Sequence, residues 1–241
     1  MVSISHLIKI VQVSDYSITT WLLLGAIFQC LLSSLLPRNI ALLPSIIAFS
    51  FRFAKGYFIA TGRLSNPLFS GVNFDRTTAQ FPAANGTLTA PCSSNSIVVL
   101  VLSASFTHPN GRFCPGGDKM GLYFVNMWAD AEAQREKYGY LGNTPAMVAE
   151  PDTIGAYGTR NGDDQGKTMV FLSYWRSFEG LQEFARGEAH MKGWLWWDRG
   201  AGEKFKHIGI MHETYEVPAG SWENISYNFR PFGIGKLTLH L

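Results

Sequence analysis

Three polar side chains stand among large apolar ones in the C-terminal part of this 241-residue chain: His190, His212 and Glu213. His190, Trp194 and Trp197 fall at i, i+4 and i+7, which puts them on one face of a helix. Met191, Leu195 and Asp198 share another face, so such a helix is apolar on most sides. A histidine titrates near neutral pH. A buried one can serve as a base, a donor to substrate, or an axial ligand to haem iron. A hydrogen-bonded core histidine explains the same pattern equally well. The second place is the run His212-Glu213-Thr214-Tyr215. In a strand, period two sets Met211, Glu213 and Tyr215 on one face and Ile208, Ile210, His212 and Thr214 on the other. A buried Glu or His needs partners. An exposed edge strand would account for both cheaply, but the flanking Ile and Met residues favour a pocket.

Other chemistries lack their residues. His212-Glu213 has no second histidine four positions on, so the His-Glu-x-x-His zinc signature is absent, and no Gly-x-Gly-x-x-Gly joins a strand to a helix. No Gly-x-Ser-x-Gly elbow is present. The three cysteines, Cys30, Cys92 and Cys114, have no Cys-x-x-Cys spacing, which argues against a zinc ligand set or a disulfide framework and for a reducing compartment. Cys114 lies in a Cys-Pro-Gly-Gly turn, where a thiol can be exposed, and is expected to be an unreactive turn thiol rather than a catalytic one. The net charge of +2 argues against a nucleic-acid footprint. Aromatic residues make up 14% of the chain, with 7 Trp and 17 Phe, enough to build a core and to line an apolar pocket.

The elements that must position these residues follow from hydrophobic periodicity. The β-branched run over 97–102 predicts a strand buried on both faces. A long turn covers 107–117. Asp118 is expected to cap a helix reaching about residue 137, with Met120, Tyr123, Phe124, Met127, Trp128 and Ala131 as one apolar stripe. Residues 140–160 carry weak strand signals. A strand over 168–175 is followed by a helix capped by Ser177, a break at Gly187, and a second helical piece over 188–198. Strands are expected over 207–217 and 222–229. The order β-α-β-β-α-β plus a final strand is the split βαβ, ferredoxin-like arrangement of an α+β domain. Helices then cover one sheet face, and the other must be buried in a dimer or around a ligand if it is apolar.

The N-terminal quarter is different. Hydrophobic residues reach 46% of the chain and charged ones only 16%, against about 25% charged in soluble domains. Residues 17–36 carry no charge and just meet the roughly 20 residues that a membrane-spanning helix needs. Pro37 ends the run. A second apolar run over 40–51 is interrupted by Pro44 and closed by Arg52 and Lys55. At about 12 residues it reads as a re-entrant or interfacial piece. The sparse basic residues before the first run and the lack of a cleavage site favour an uncleaved anchor over a signal peptide. Arg52, Lys55 and Arg63 place the following domain on the cytosolic side. The sequons at Asn85 and Asn224 would argue for the lumen, but Asn224 falls in an expected strand. The chain therefore divides into an anchor over 1–61, a polar linker over 62–95 and an α+β domain over 96–241.

Longer motifs carry a resemblance. The stretches 171–181 and 184–186, His190 and Trp194, the block 207–223 with His212-Glu213-Thr214-Tyr215, and Asn228 with 231–235 resemble the fungal ABM-type monooxygenase family. Upstream, 107–113, 115–117, Asn126-Met127-Trp128 and 136–139 also match it. The resemblance covers about residues 96–236. It departs at Ser226, where the family pattern has an aromatic residue, and over 75–95. It implies a dimeric α+β barrel preceded by a transmembrane or hairpin segment. It also implies oxidation by O2 of an apolar, polyketide- or terpenoid-like intermediate of secondary metabolism. Members of the wider fold work without metal or flavin, while other branches bind haem through a histidine. On this reading His190 acts as base or proton shuttle, and His212 and Glu213 orient substrate or stabilise charge. Trp175, Trp194 and Tyr215 wall the pocket and Asn126 contacts substrate. The expected partners are an apolar small molecule, O2, a membrane and a second copy of the chain. A haem enzyme on the same fold and a non-catalytic, membrane-tethered binding protein are the rival readings.

Overall fold

The computed structural model describes residues 12–78, 95–149 and 167–237. Cys92, the Asn85 sequon, residues 79–94 of the expected linker and residues 150–160 lie outside these. The chain separates into two units: residues 16–72, and an α+β unit that takes in residues 73–241 together with the segment preceding residue 16.

The N-terminal unit is built on two helices, α1 (Ile18–Leu35) and α2 (Arg38–Ala60). Ser17 caps α1 by accepting a hydrogen bond from the Thr20 amide at 3.1 Å. Pro37 separates the two helices. The second apolar run is therefore longer than expected. Pro44 lies inside α2 instead of interrupting it, and Arg52 and Lys55 are exposed helical residues. A proline removes one backbone donor, and the remaining hydrogen bonds of a long helix carry it through. Gln29 ties the two helices together: its amide donates to the Ala41 carbonyl at 3.0 Å and accepts from the Ser45 hydroxyl at 2.9 Å. Both helices are long and apolar enough to cross a bilayer, and their apolar windows bury nothing inside the protein.

The α+β unit has one antiparallel sheet. Its strands are β1 (Ile97–Phe106), β2 (Tyr140–Asn143), β3 (Met147–Ala149), β4 (Lys167–Trp175) and β5 (Ile208–Val217). The spatial order is β2-β4-β1-β5, with β3 also paired to β4. Helix α3 (Gly117–Ala133) and the short α4 (Arg135–Tyr138) follow β1; α5 (Phe178–Ala185) and α6 (Glu188–Trp196) follow β4. The order is β-α-β-β-β-α-β, the expected β-α-β-β-α-β with one further short strand between the helices. Ser177 caps α5 through the Gly180 amide, as expected. Two boundaries differ. Helix α3 starts one residue before Asp118 and stops at Ala133, where Gln134 interrupts it ahead of α4. The expected strand over 222–229 is absent. That segment makes only isolated bridges, Phe229 to Asn73 and Ser226 to Thr77. It is held instead by Trp222, whose indole donates to the Asn95 carbonyl at 2.9 Å. Cys114 is buried rather than exposed, and desolvation pushes its thiol above the ordinary range.

Even-numbered residues of β1 face the helices. Val98 and Leu100 pack there with Ala131, Tyr138, Tyr140, Trp175, Leu181 and Phe184. On the opposite face, Trp222 and Ile234 cover Ile97 and Leu141 at one end of the sheet.

A buried ion cluster, not visible as a motif, holds the segment before α1 to the sheet. The fully buried Asp15 carboxylate accepts from Lys167 Nζ at 2.6 Å and from Arg112 at 2.8 and 2.9 Å. Burial alone would raise the Asp15 pKa, but these partners overrule it and hold the carboxyl down to about 2. Asp15→Asn leaves the buried Lys167 ammonium uncompensated and is expected to cost about 3–5 kcal/mol in chemical denaturation. With the carboxyl lowered from 3.8 to about 2, the stabilisation is complete above pH 3.8 and is lost as pH falls towards 2. A variant as stable as the parent at neutral pH would refute this role.

Candidate functional site

The register of the sheet decides which side chains can meet. Leu102 of β1 stands opposite Phe171 of β4 and His212 of β5, and Leu100 stands opposite Ser173 and Thr214. His212, Thr214 and Ile210 therefore point towards the helices. Helix α3 lays its stripe over them: Met120, Tyr123, Phe124, Met127 and Trp128. Helix α6 contributes His190, Gly193, Trp194 and Trp196. Between sheet and helices lies a cavity of about 450 Å³ lined by these residues, with Leu181, Gln182 and Phe184 of α5. Large rings from the three helices meet one another above the sheet and wall the cavity. The Trp128 and Phe184 rings stack at 6.4 Å, and the Tyr123 and Trp196 rings lie 5.2 Å apart.

Two buried polar atoms in this lining have no hydrogen-bond partner among the described residues: His190 Nδ1 and Trp128 Nε1. Leaving such groups unpaired costs on the order of 1–3 kcal/mol each, so a polar group placed in the cavity would find an acceptor or donor in both. Burial also biases His190 towards its neutral form. Desolvation lowers its pKa below the ordinary 6.5, a backbone contact at Ala185 pulls the other way, and the charge of nearby His212 adds to the lowering. A neutral imidazole with a free nitrogen is a base; the fixed indole N–H is a donor that can stabilise negative charge next to it. Phe184 packs edge-on to His190 at 5.6 Å and separates it from the core.

The residues singled out in the sequence fall into two groups. His190, His212 and Trp194 line the cavity, Trp194 with about half its surface exposed. The others do not reach it. Glu213 and Tyr215 lie on the opposite sheet face, as period two requires, where the Tyr215 hydroxyl donates to the Glu213 carboxylate. Asn126 sits off the α3 stripe and is exposed. Trp175 is fully buried one layer deeper. Its indole donates to Ser173 Oγ at 2.9 Å and its ring packs on Tyr140 and Phe184 at 4.9 and 5.0 Å. It supports the wall without forming it. Sequence reasoning missed Trp128, Thr214 and Gln182. Trp128 stood in the α3 stripe but was read as core, and Thr214 shares its strand face with His212. Gln182 left no signal. Among the described residues no group of three or more His, Cys, Asp or Glu could hold a metal ion.

A desolvated histidine inside an aromatic cavity on an antiparallel α+β frame defines a small-molecule enzyme domain. The chain belongs to the monooxygenase af470-like family, whose model matches residues 97–234, from the first residue of β1 to the segment that covers the far sheet face. It is a monooxygenase. Monooxygenase af470 of Aspergillus fumigatus is 24% identical over 223 residues, 92% of this chain and 76% of that protein. Among solved structures, similarity extends to SnoaB, a cofactor-independent oxygenase from Streptomyces nogalater. That match has a TM-score of 0.28 and 10% identity, over 49% of this chain and 90% of that one. An aldoxime dehydratase matches with a TM-score of 0.43 and 16% identity, over 68% of this chain and 45% of that one.

The cavity has a tunable wall at Gly193, where an added Cβ would lie 2.3 Å from the Met127 methyl, the free end of a flexible side chain. Gly193→Ala is expected to swing that methyl into the cavity. Affinity for an apolar dye that fills it should fall by about 1–3 kcal/mol, the worth of one methylene in such a pocket. Gly209→Ala, whose Cβ would only touch Ser105 at 3.6 Å on the other sheet face, should leave dye affinity unchanged. Equal affinity in both variants would remove Gly193 from the cavity wall.

Proposed function

We propose that the protein oxidises an apolar, polyketide- or terpenoid-like intermediate of secondary metabolism with O2, using His190 as the base. The observation that carries this reading is the unpartnered, desolvated His190 Nδ1 in the aromatic cavity. The substrate that suits it has a CH2 made acidic by conjugated carbonyl or aromatic neighbours. His190 removes one proton. The carbanion passes an electron to O2, and the radical pair recombines to a hydroperoxide on that carbon. That hydroperoxide takes its proton from the imidazolium; the freed imidazole then removes the second proton from the carbon as the O–O bond breaks, passes it to the departing hydroxide to give water, and the carbon becomes C=O. The balance is CH2 + O2 → C=O + H2O, with all four electrons supplied by the substrate. Trp128 N–H and His212 would stabilise the enolate form.

In this reading no cofactor is required. Haem held by a cavity histidine is the alternative, but the lining has no Lys or Arg to pair with propionates. A Soret band in purified protein that tracks activity would replace the present reading with that one. His190→Gln is expected to lower kcat by about 10²–10⁴-fold, the range for loss of a general base. Because the neutral imidazole is the active form and burial lowers its pKa, kcat/KM should hold as pH falls through 6.5 and drop only below it. An acidic limb above that value, or full turnover in the variant, would sink the assignment.

The other sheet face suggests a homodimer. Val99, Val101, Val170 and Leu172 are only half-buried there, and Met211 and Tyr215 are 46% and 52% exposed. The two N-terminal helices, long and apolar enough to cross a bilayer, suit a membrane hairpin, with the enzyme domain on the cytosolic side by Arg52 and Lys55 in the C-terminal half of α2 and Arg63 after it. Val101→Asp places a second carboxylate directly across from Glu213 and is expected to yield monomers in analytical ultracentrifugation. A variant that remains dimeric, or a parent that is monomeric, would refute this face as the interface.

A further inference from the structure

A second cleft, of about 670 Å³, opens behind the cavity wall, and its chemistry is unlike that of the cavity. Four cations line it: Lys119 from the first turn of α3, Lys192 from α6, and Arg199 and Lys204 from the turn that follows α6. Its lining contains no carboxylate. Lys192 is tied to Glu188 at 2.6 Å. Lys119, Arg199 and Lys204 have no ion-pair partner among the described residues. In a chain whose net charge is only +2, this is a local concentration of positive charge rather than a general bias. Tyr123, Trp196 and Phe205 form the apolar wall of the cleft, and the first two also line the oxidation cavity.

The backbone brings these groups together. After α6 the chain kinks within Trp197–Ala201, with non-helical angles at Arg199 and Gly200. Gly200 has φ 120°, a conformation that side-chain-bearing residues rarely adopt. The kink turns the chain so that Arg199 and Lys204 edge one concavity.

We infer that this cleft binds a phosphate-bearing group. A phosphate ester carries about −1.5 to −2 charges and three acceptor oxygens, which two or three unpaired cations can match. The Arg199 fork suits two phosphate oxygens at once, and the lysines act as point charges. A lone carboxylate would leave most of the positive charge unanswered, whereas a diphosphate would not. The group can belong to a soluble phosphate ester or to an anionic lipid headgroup. The inference stands independently of the oxidation proposed above, because it uses none of the cavity histidines.

The test uses the full chain in phosphatidylcholine nanodiscs, titrated with inorganic pyrophosphate by calorimetry. Saturable binding is expected. It should weaken as salt rises, and by about tenfold or more in an Arg199→Ala, Lys204→Ala double variant. Both side chains are exposed, so the variant should fold, and an unchanged thermal melt would verify that. Nanodiscs containing phosphatidic acid separate the two sources. If a lipid headgroup is the natural occupant, pyrophosphate binding is competed away there in the parent but not changed further in the variant. If a soluble ester is the occupant, the parent binds pyrophosphate equally in both lipids. No saturable binding in phosphatidylcholine, or equal binding by parent and double variant, would overturn the inference.

Discussion

The pairing register of β5 against β1 is the constraint on which the site depends. With Leu102 opposite His212, the strand sends Ile210, His212 and Thr214 to the helices and Met211, Glu213 and Tyr215 to the far face. A slip of one residue would exchange the two sets and put a carboxylate where the imidazole stands. The register is secured by burial at the strand ends, not by the polar residues in its middle. Ile208 is buried with Phe106 and Ala104 on the helix side, and Val217 packs against the Trp222 and Ile234 cluster on the other. Those two anchors leave the centre of β5 free to carry polar residues on both faces.

The cavity that this register feeds is costly for polar groups. His190 and Trp128 are each flanked by Phe184, an apolar ring that offers neither of them a hydrogen bond. A fold optimised only for stability would fill such a space with aliphatic side chains. Here the groups that remain unpaired are one that can take up a proton and one that can donate a hydrogen bond, and burial biases the first towards its neutral form. The desolvation that disfavours the charged imidazole is the same effect that keeps its proton-accepting form available in the cavity.

How much of this could be read from the sequence differs by element. The split βαβ order, the Ser177 cap and the alternation along β5 rest on local periodicity, and local periodicity was sufficient for them. The same alternation already separated Glu213 and Tyr215 from His212. Placing all three at one site followed their adjacency in the chain instead of their faces. Trp175 misled in a similar way: a large aromatic at the end of a strand suits a pocket wall or a core, and only the Ser173 hydroxyl partner and the Phe184 packing decide between them. The α3 stripe was legible as buried, but whether a buried stripe meets side chains or a cavity depends on what faces it across about 10 Å.

The least legible features are those made by residues far apart in the chain. Asp15 and Lys167 are 152 positions apart, and neither sits in a motif. The same applies to the 222–229 segment, where β-branched and aromatic residues suggested a strand. A strand needs a partner edge with matching length, and the neighbours available to this segment, Asn73 and Thr77, offer one bridge each. Propensity sets what a segment can become, and the available edge sets what it does become. In α2 the balance ran the other way. Pro44 and the two cations argued for a break, yet a proline two turns into a long helix removes only one hydrogen bond. Arg52 and Lys55 bear on where a helix can sit rather than on whether it forms, because their long side chains extend away from the backbone.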